Sequence, residues 1–279
     1  MPAAASVADA LFRSCHPLPS VAVTTCAVVL MAAAGNSAGT CAVGAVAVLA
    51  GQLSVGWSND RIDVHRDRRV GHEGKPMAAG QVPLLVVDVA LALSVAVACV
   101  FSLLLGWRAG LVHLAAVAVA WLYNLWLKRT WLSWLPYGLA FGALPAVATL
   151  ALPDHPGPRP WIILTAALLG ISVNFTNAKQ DLADHPRSDV HGLPDRIGGR
   201  ISLLVADVLL ATSGALVTFA PPGSPRPIAW VGAAATAILL VVGTVALWPF
   251  ARTRRPFYGV LLIAPIQLLV LVVTAHPLH

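Results

Sequence analysis

Residues 59–67 read Asn-Asp-Arg-Ile-Asp-Val-His-Arg-Asp and follow directly on an apolar run. If the helix of that run continues, Asn59, Asp63 and Asp67 stand four residues apart and drift only about 40° per step. Asp60 flanks the same stripe, so one helix end presents an amide and three carboxylates on one face. Like charges at that spacing repel, and an acid at a membrane helix centre costs ~3 kcal/mol, so positive charge must offset them. Two sources are open. A solvated loop with salt bridges to Arg61, Arg66, Arg68 and Arg69 would suffice. So would a divalent cation, because Mg²⁺ prefers carboxylate, amide and water oxygens and commonly joins one or two carboxylates to substrate phosphates. The arginines and Lys75 would then contact phosphate oxygens directly.

A second polar face lies more than a hundred residues on. Asn174, Asn177, Asp181 and Asp184 fall at i, i+3, i+7 and i+10, one side of a helix. Asp189 follows after Pro186 has ended that helix, and Lys179, Arg187 and Arg196 bring positive charge. A polar stripe on a membrane helix should face the bundle interior. An amide ladder between helices would explain this stripe alone. The pair says more: two acidic faces aimed at one cavity can each hold a Mg²⁺ on a shared diphosphate. That arrangement neutralises the leaving group of an allylic diphosphate and promotes ionisation.

The elements that carry these stripes are set by composition. Of 279 residues, 58% are hydrophobic and 11% charged, where a soluble domain has about 25% charged. A multi-span membrane protein is the expectation, all-α, with one membrane-embedded domain over residues 1–279. Nine apolar runs are long enough to serve as spans: 18–35, 38–57, 82–105, 108–127, 132–152, 160–178, 201–220, 228–249 and 256–275. Pro136, Pro145 and Pro265 are expected kink positions. The N-terminal twenty residues lack the early positive charge of a leader, so the first run is read as a retained span. Cys15, Cys26, Cys41 and Cys99 show neither metal-ligand spacing nor a disulfide framework.

Orientation follows from charge. Fifteen of the 18 Lys and Arg residues fall on the side of the N-terminus and the two acidic stripes; only Arg108, Arg159 and Arg226 lie opposite. The positive-inside bias puts both stripes at the cytoplasmic face of a cell membrane. The +6 net charge sits in short loops between spans, which argues against a nucleic-acid partner.

With these residues in view, the chain resembles the UbiA superfamily of intramembrane prenyltransferases. Residues 59–67 match its NDxxDxxxD motif, and Gly-Lys-Pro-Met-Ala-Ala-Gly at 74–80 matches the KPxxxG stretch that follows. Tyr123 to Pro145 resembles its Tyr…Leu-Lys-Arg loop, and Asp181 to Gly198 its second acidic motif. The resemblance implies a nine-helix bundle around a lipid-accessible cavity. It further implies Mg²⁺-dependent transfer of a prenyl group from an isoprenyl diphosphate to a hydrophobic acceptor, aromatic or quinone-like. Carried over by position, Asn59, Asp60, Asp63 and Asp67 would hold one metal and Asp181, Asp184 and Asp189 the other. Asp63, Asp67, Asp181 and Asp184 would be the catalytic carboxylates. Lys75, Lys128 and Arg129 would bind diphosphate. Where many members read YxxKDxxD, this chain has Asn177 and Gln180, with Lys179 one place earlier, and Asn177 and Lys179 are read as substrate contacts. A membrane terpene cyclase would use the same ionisation machinery on its own chain.

Other classes fit less well. The DG…AR…G signature of phosphatidyl-alcohol transferases is absent, since Asp60 is followed by Arg61. A transporter should carry its acids at the bilayer midplane, within paired repeats. His65, His72, His185 and His191 are candidate proton acceptors, with solvated loop histidines as the plainer reading. Trp121, Trp126, Trp131 and Trp134 read as an interfacial belt, and Asp195 as structural. Neither the acceptor nor an oligomeric state follows from the sequence.

Overall fold

The computed structural model describes residues 6–71, 74–177, 192–247, 255–274 and 278. Their regular structure is helical throughout, in the order α1 (Val7–Ser14), α2 (Pro17–Ala34), α3 (Ala38–Arg69), α4 (Leu84–Leu104), α5 (Trp107–Leu125), a 3₁₀ turn (Leu127–Arg129), α6 (Leu135–Leu150), α7 (Pro160–Asn177), α8 (Leu193–Ile197), α9 (Gly199–Phe219), α10 (Pro227–Leu247) and α11 (Arg255–Thr274). Among them α2, α3, α4, α5, α7, α9 and α10 are long and apolar enough to cross a membrane. The other two expected spans fall on α6 and on the Leu262–Thr274 part of α11, which are shorter apolar helices. The 16 residues of α6 rise only ~24 Å, less than a bilayer core of ~30 Å.

The helices run up and down, each packing on its neighbours in sequence; α3 also meets α5, and α6 meets α2. In the second half α7, α9 and α11 pack together. The main apolar core, including Met31, Val48, Leu105, Val147, Ile162, Val217 and Val270, gathers where α2, α4, α6, α9 and α11 end. The acidic stripe of α3 lies at the opposite end. In the first half of α3, before that stripe, close approach depends on missing side chains: a Cβ on Gly51 would stand 2.9 Å from Val117 Cγ2.

Two expectations change. Pro136 does not kink a span; it occupies the first turn of α6, where its missing N–H leaves no bond unmade. Pro145 and Pro265 do lie inside α6 and α11. Trp121, expected in an interfacial belt, turns inward and donates to Ser54 Oγ at 3.2 Å. Around the bundle, Leu85, Leu93 and Leu104 of α4 and Val241 and Val245 of α10 are exposed. Rows of large apolar side chains on outer faces suit lipid as the solvent, as in a multi-pass membrane protein.

Candidate active site

At 32 residues α3 rises ~48 Å, well beyond one bilayer core. A helix of that length outruns the hydrocarbon, and its charged residues are confined to its final turns, Asn59 to Arg69. The helix is unbroken there, as the spacing predicts, and its last turn ends on Arg66, Arg68 and Arg69, which suits the negative end of the helix dipole.

Asp60, Asp63 and Asp67 are only 2–3% exposed. Three buried carboxylates demand positive partners, and these come from two loops and the helix itself. Lys75, after α3, sets Nζ 3.0 Å from Asp60 Oδ1 and 2.9 Å from Asp67 Oδ2. Arg66 reaches Asp63 Oδ2 at 2.9 Å and Asp67 Oδ1 at 3.2 Å. Lys128, on the 3₁₀ turn after α5, donates to Asp63 Oδ2 at 2.5 Å. Burial pulls the Lys128 pKa below the usual lysine value, and its pairing with Asp63 opposes that pull. Arg129 stands farther off, half-exposed, with Nη2 3.9 Å from Asp63 Oδ1.

This is not a solvated loop. Among the four arginines expected to line one, Arg66 is the one that pairs with these acids in the described residues. Arg61 instead makes a two-pronged bond to Asp88, at 2.7 and 3.2 Å, and Arg68 donates to the Met77 carbonyl.

Asn59 is fixed from α5. Its Nδ2 donates to Asn124 Oδ1 at 2.9 Å, while Asn124 Nδ2 donates back to Val55 O and Ser58 Oγ at 2.8 Å each. With its nitrogen engaged, Asn59 keeps Oδ1 as the atom for a cation. One oxygen of each carboxylate is less well satisfied. Asp60 Oδ1 and Asp67 Oδ2 meet Lys75 at ion-pair distance, and Asp63 Oδ1 meets Arg129 only at 3.9 Å. All three are buried without a directed hydrogen bond. Oxygens of this kind beside an amide are the hard donor set that Mg²⁺ takes. They are not gathered on one point while lysine and arginine hold them. Among the described residues, no three His, Cys or acidic side chains stand in cation-holding geometry. The donor types fit a divalent cation.

The second stripe is described only at its base. Asn174 is buried, with Oδ1 lacking a hydrogen-bond partner. Asn177 Nδ2 lies 3.4 Å from Tyr137 Oη, and the Tyr137 ring stands edge-on to Tyr123 with centroids 5.2 Å apart. Lys179, Asp181, Asp184 and Asp189 lie outside the described residues, as do His72, His185 and His191. The chain that follows them is docked beside the first cluster. Leu193 N donates to Ser133 Oγ at 3.0 Å, and Arg196 donates to Arg129 O at 3.3 Å and covers the Trp131 ring at 5.1 Å. A side chain on Gly192 would meet Ser133 Oγ at 2.8 Å and Lys128 O at 3.1 Å. Asp195 accepts from Gly192 N at 2.9 Å, capping α8.

Sequence reasoning missed three contributors. Asn124 and Tyr137 read as ordinary polar residues of apolar helices, without a spacing signal. His16, between α1 and α2, brings Nε2 to 3.4 Å from Asp60 Oδ1, and no motif connects it to residue 60.

Solved structures share this architecture. A UbiA homolog from Aeropyrum pernix K1 aligns with a TM-score of 0.71 at 20% identity, covering 90% of this chain and 96% of its own. A UbiA homolog from Archaeoglobus fulgidus, solved bound to DMAPP and Mg²⁺, aligns at 0.70 and 14% identity, over 94% and 98%. A structure of digeranylgeranylglyceryl phosphate synthase aligns at 0.69 and 16%, over 96% and 98%. No curated protein matches the chain in sequence. The sequence profile of the UbiA prenyltransferase family, however, matches residues 20–272, from the first long helix to the last. With most of its length matched, the chain belongs to the UbiA prenyltransferase family.

Proposed function

We propose that this protein transfers a prenyl group from an isoprenyl diphosphate to an aromatic or quinone-like acceptor within the membrane, using Mg²⁺. The observation that carries this reading is the buried array of Asp60, Asp63 and Asp67, interleaved with Lys75, Arg66 and Lys128. Buried carboxylates and cations in alternation suit a ligand that brings both kinds of charge, such as a metal diphosphate. The solved Archaeoglobus fulgidus homologs bound to DMAPP or GPP with Mg²⁺ support the same ligand class.

Asn59, Asp60, Asp63 and Asp67 would hold one Mg²⁺, and Asp181, Asp184 and Asp189 a second. Bound there, the metal would neutralise the diphosphate and make it a better leaving group. Lys75 and Lys128 would exchange their carboxylates for diphosphate oxygens, joined by Arg129, with Asn177 and Lys179 contributing from the other stripe. The apolar helices would form a lipid-accessible hollow of nine spans in one domain, keeping water from the cation formed when the carbon–oxygen bond breaks. The predominance of Lys and Arg at the acidic end supports placing this chemistry on the cytoplasmic side of the cell membrane.

The test uses purified protein in lipid nanodiscs with allylic diphosphates of several lengths, Mg²⁺, and a panel of aromatic acceptors. Pyrophosphate release and a prenylated acceptor, both lost on chelation, are the expected result. A cyclised hydrocarbon in acceptor-free tubes would replace the transferase reading with the cyclase one. Turnover indifferent to chelation would remove the metal from the proposal.

A further inference from the structure

The N-terminal helix lies ahead of the family-matching segment, which begins at residue 20, yet it packs directly on the acidic end of α3. Trp57 Nε1 donates to Leu11 O at 3.0 Å. The Cys15 carbonyl presses against Gly56 so closely that a Cβ there would stand 2.5 Å from its oxygen. Ser20 Oγ donates to that same carbonyl at 3.0 Å, Arg13 donates to Gln81 at 2.6 Å, and Ala10, Cys15, Trp57, Val64 and Met77 form one apolar cluster. This clamp fixes the turn between α1 and α2.

At that turn His16 adopts φ 53° and ψ 65°. The left-handed region is unfavourable for a side chain with a Cβ, and the residue before a proline is restricted further. The imidazole so held has Nε2 3.4 Å from Asp60 Oδ1, the oxygen that Lys75 also contacts. The two partners differ. Lys75 is a flexible chain spread over two carboxylates, and a diphosphate would draw it away. His16 is carried by a clamped backbone turn, with its ring about half exposed at the edge of the site.

We propose that His16 is a positioning residue for Asp60, supplied by the N-terminal segment, which orients the carboxylate for the divalent cation. This rests on the metal reading above. Partners that orient metal-binding carboxylates typically change metal affinity 10- to 100-fold when removed.

The experiment measures Mn²⁺, standing in for Mg²⁺, by electron paramagnetic resonance on the full chain in detergent, without substrate. His16→Gly retains the left-handed turn while deleting the imidazole; His16→Gln offers an amide nitrogen at a comparable reach. The expected result is Mn²⁺ binding about tenfold weaker in His16→Gly, substantially restored in His16→Gln, with metal-free melting temperature no lower than the parent's in either. Equal Mn²⁺ affinity in parent and His16→Gly overturns this inference alone. A fall in His16→Gly without recovery in His16→Gln also overturns it, since the loss then does not follow the polar contact. A parent that binds no Mn²⁺ overturns the metal reading and this inference with it.

Discussion

The two ends of α3 are built on different physics. Toward its start, Gly44, Ala47, Val48 and Gly51 are buried with almost no side-chain polarity, and contact there is a matter of shape. Toward its end, Asp60, Asp63 and Asp67 are equally buried, and contact there is a matter of charge. Inside lipid, small residues let backbones approach and gain dispersion contacts. At the helix end, burial of the acids is sustained by cations, Lys75 and Lys128 from elsewhere in the chain and Arg66 from α3 itself. A substitution at the first end should therefore change how well the protein holds together, and one at the second should change what it binds.

The largest effect is expected at the charged end. Asp63→Ala removes the partner that Lys128 and Arg66 share, leaving a buried ammonium uncompensated. Breaking a buried pair in this way costs about 3–5 kcal/mol, and we expect metal-dependent pyrophosphate release to disappear as well. Thermal unfolding and product assays on the same preparation check both losses. Asp63→Asn, which retains the shape and a hydrogen-bond acceptor for Lys128, should recover part of the stability and none of the turnover. Substantial turnover in Asp63→Asn would take this carboxylate out of the metal site.

At the packed end, Gly51→Ala forces a methyl to within 2.9 Å of Val117 Cγ2 and 3.3 Å of the His113 ring. Overpacking of this kind costs about 1–3 kcal/mol. A lower melting temperature with unchanged Mg²⁺ dependence is the expected outcome. A shift in metal dependence would mean that the two ends of α3 are coupled, which would undo the contrast.

The sequence made one of these ends far more legible than the other. Apolar run lengths located the long helices, because hydrocarbon thickness sets them directly, and four-residue spacing put the α3 acids on one face. Both are local rules. What sequence spacing did not reveal is burial: Asp63 is met by Lys128 from 65 residues away, and Asp60 by Lys75 and by His16 from the turn between α1 and α2. The alternative of a solvated loop with four arginines stayed open for the same reason, since nothing local says that Arg61 prefers Asp88. Pro136 misled because a proline at a first turn and one inside a span look alike until the helix start is known.

A smaller effect separates binding from burial within the charged end. Lys75 bridges Asp60 and Asp67 from a loop and is proposed to move onto diphosphate. Lys75→Met keeps most of its volume and removes the charge. We expect KM for the diphosphate to rise about tenfold or more, the scale of a lost charge-assisted hydrogen bond of about 1.5–3 kcal/mol. An unchanged KM with a large fall in stability would recast Lys75 as a structural counter-charge only.

The smallest effect marks where the charged end stops. Arg61 lies between the acids in sequence, yet it points to Asp88 of α4, with the two side chains 33% and 44% exposed. Ion pairs this open contribute about 0–1 kcal/mol and weaken with salt. Arg61→Ala should therefore shift melting by little and leave KM and the Mg²⁺ requirement as they were. A loss comparable with that of Lys75→Met would mean that Arg61 leaves Asp88 for the diphosphate during turnover. The functional face of the stripe would then extend around α3 to the side that meets α4, and burial would no longer separate the acids that bind from the charges that merely solvate the helix end.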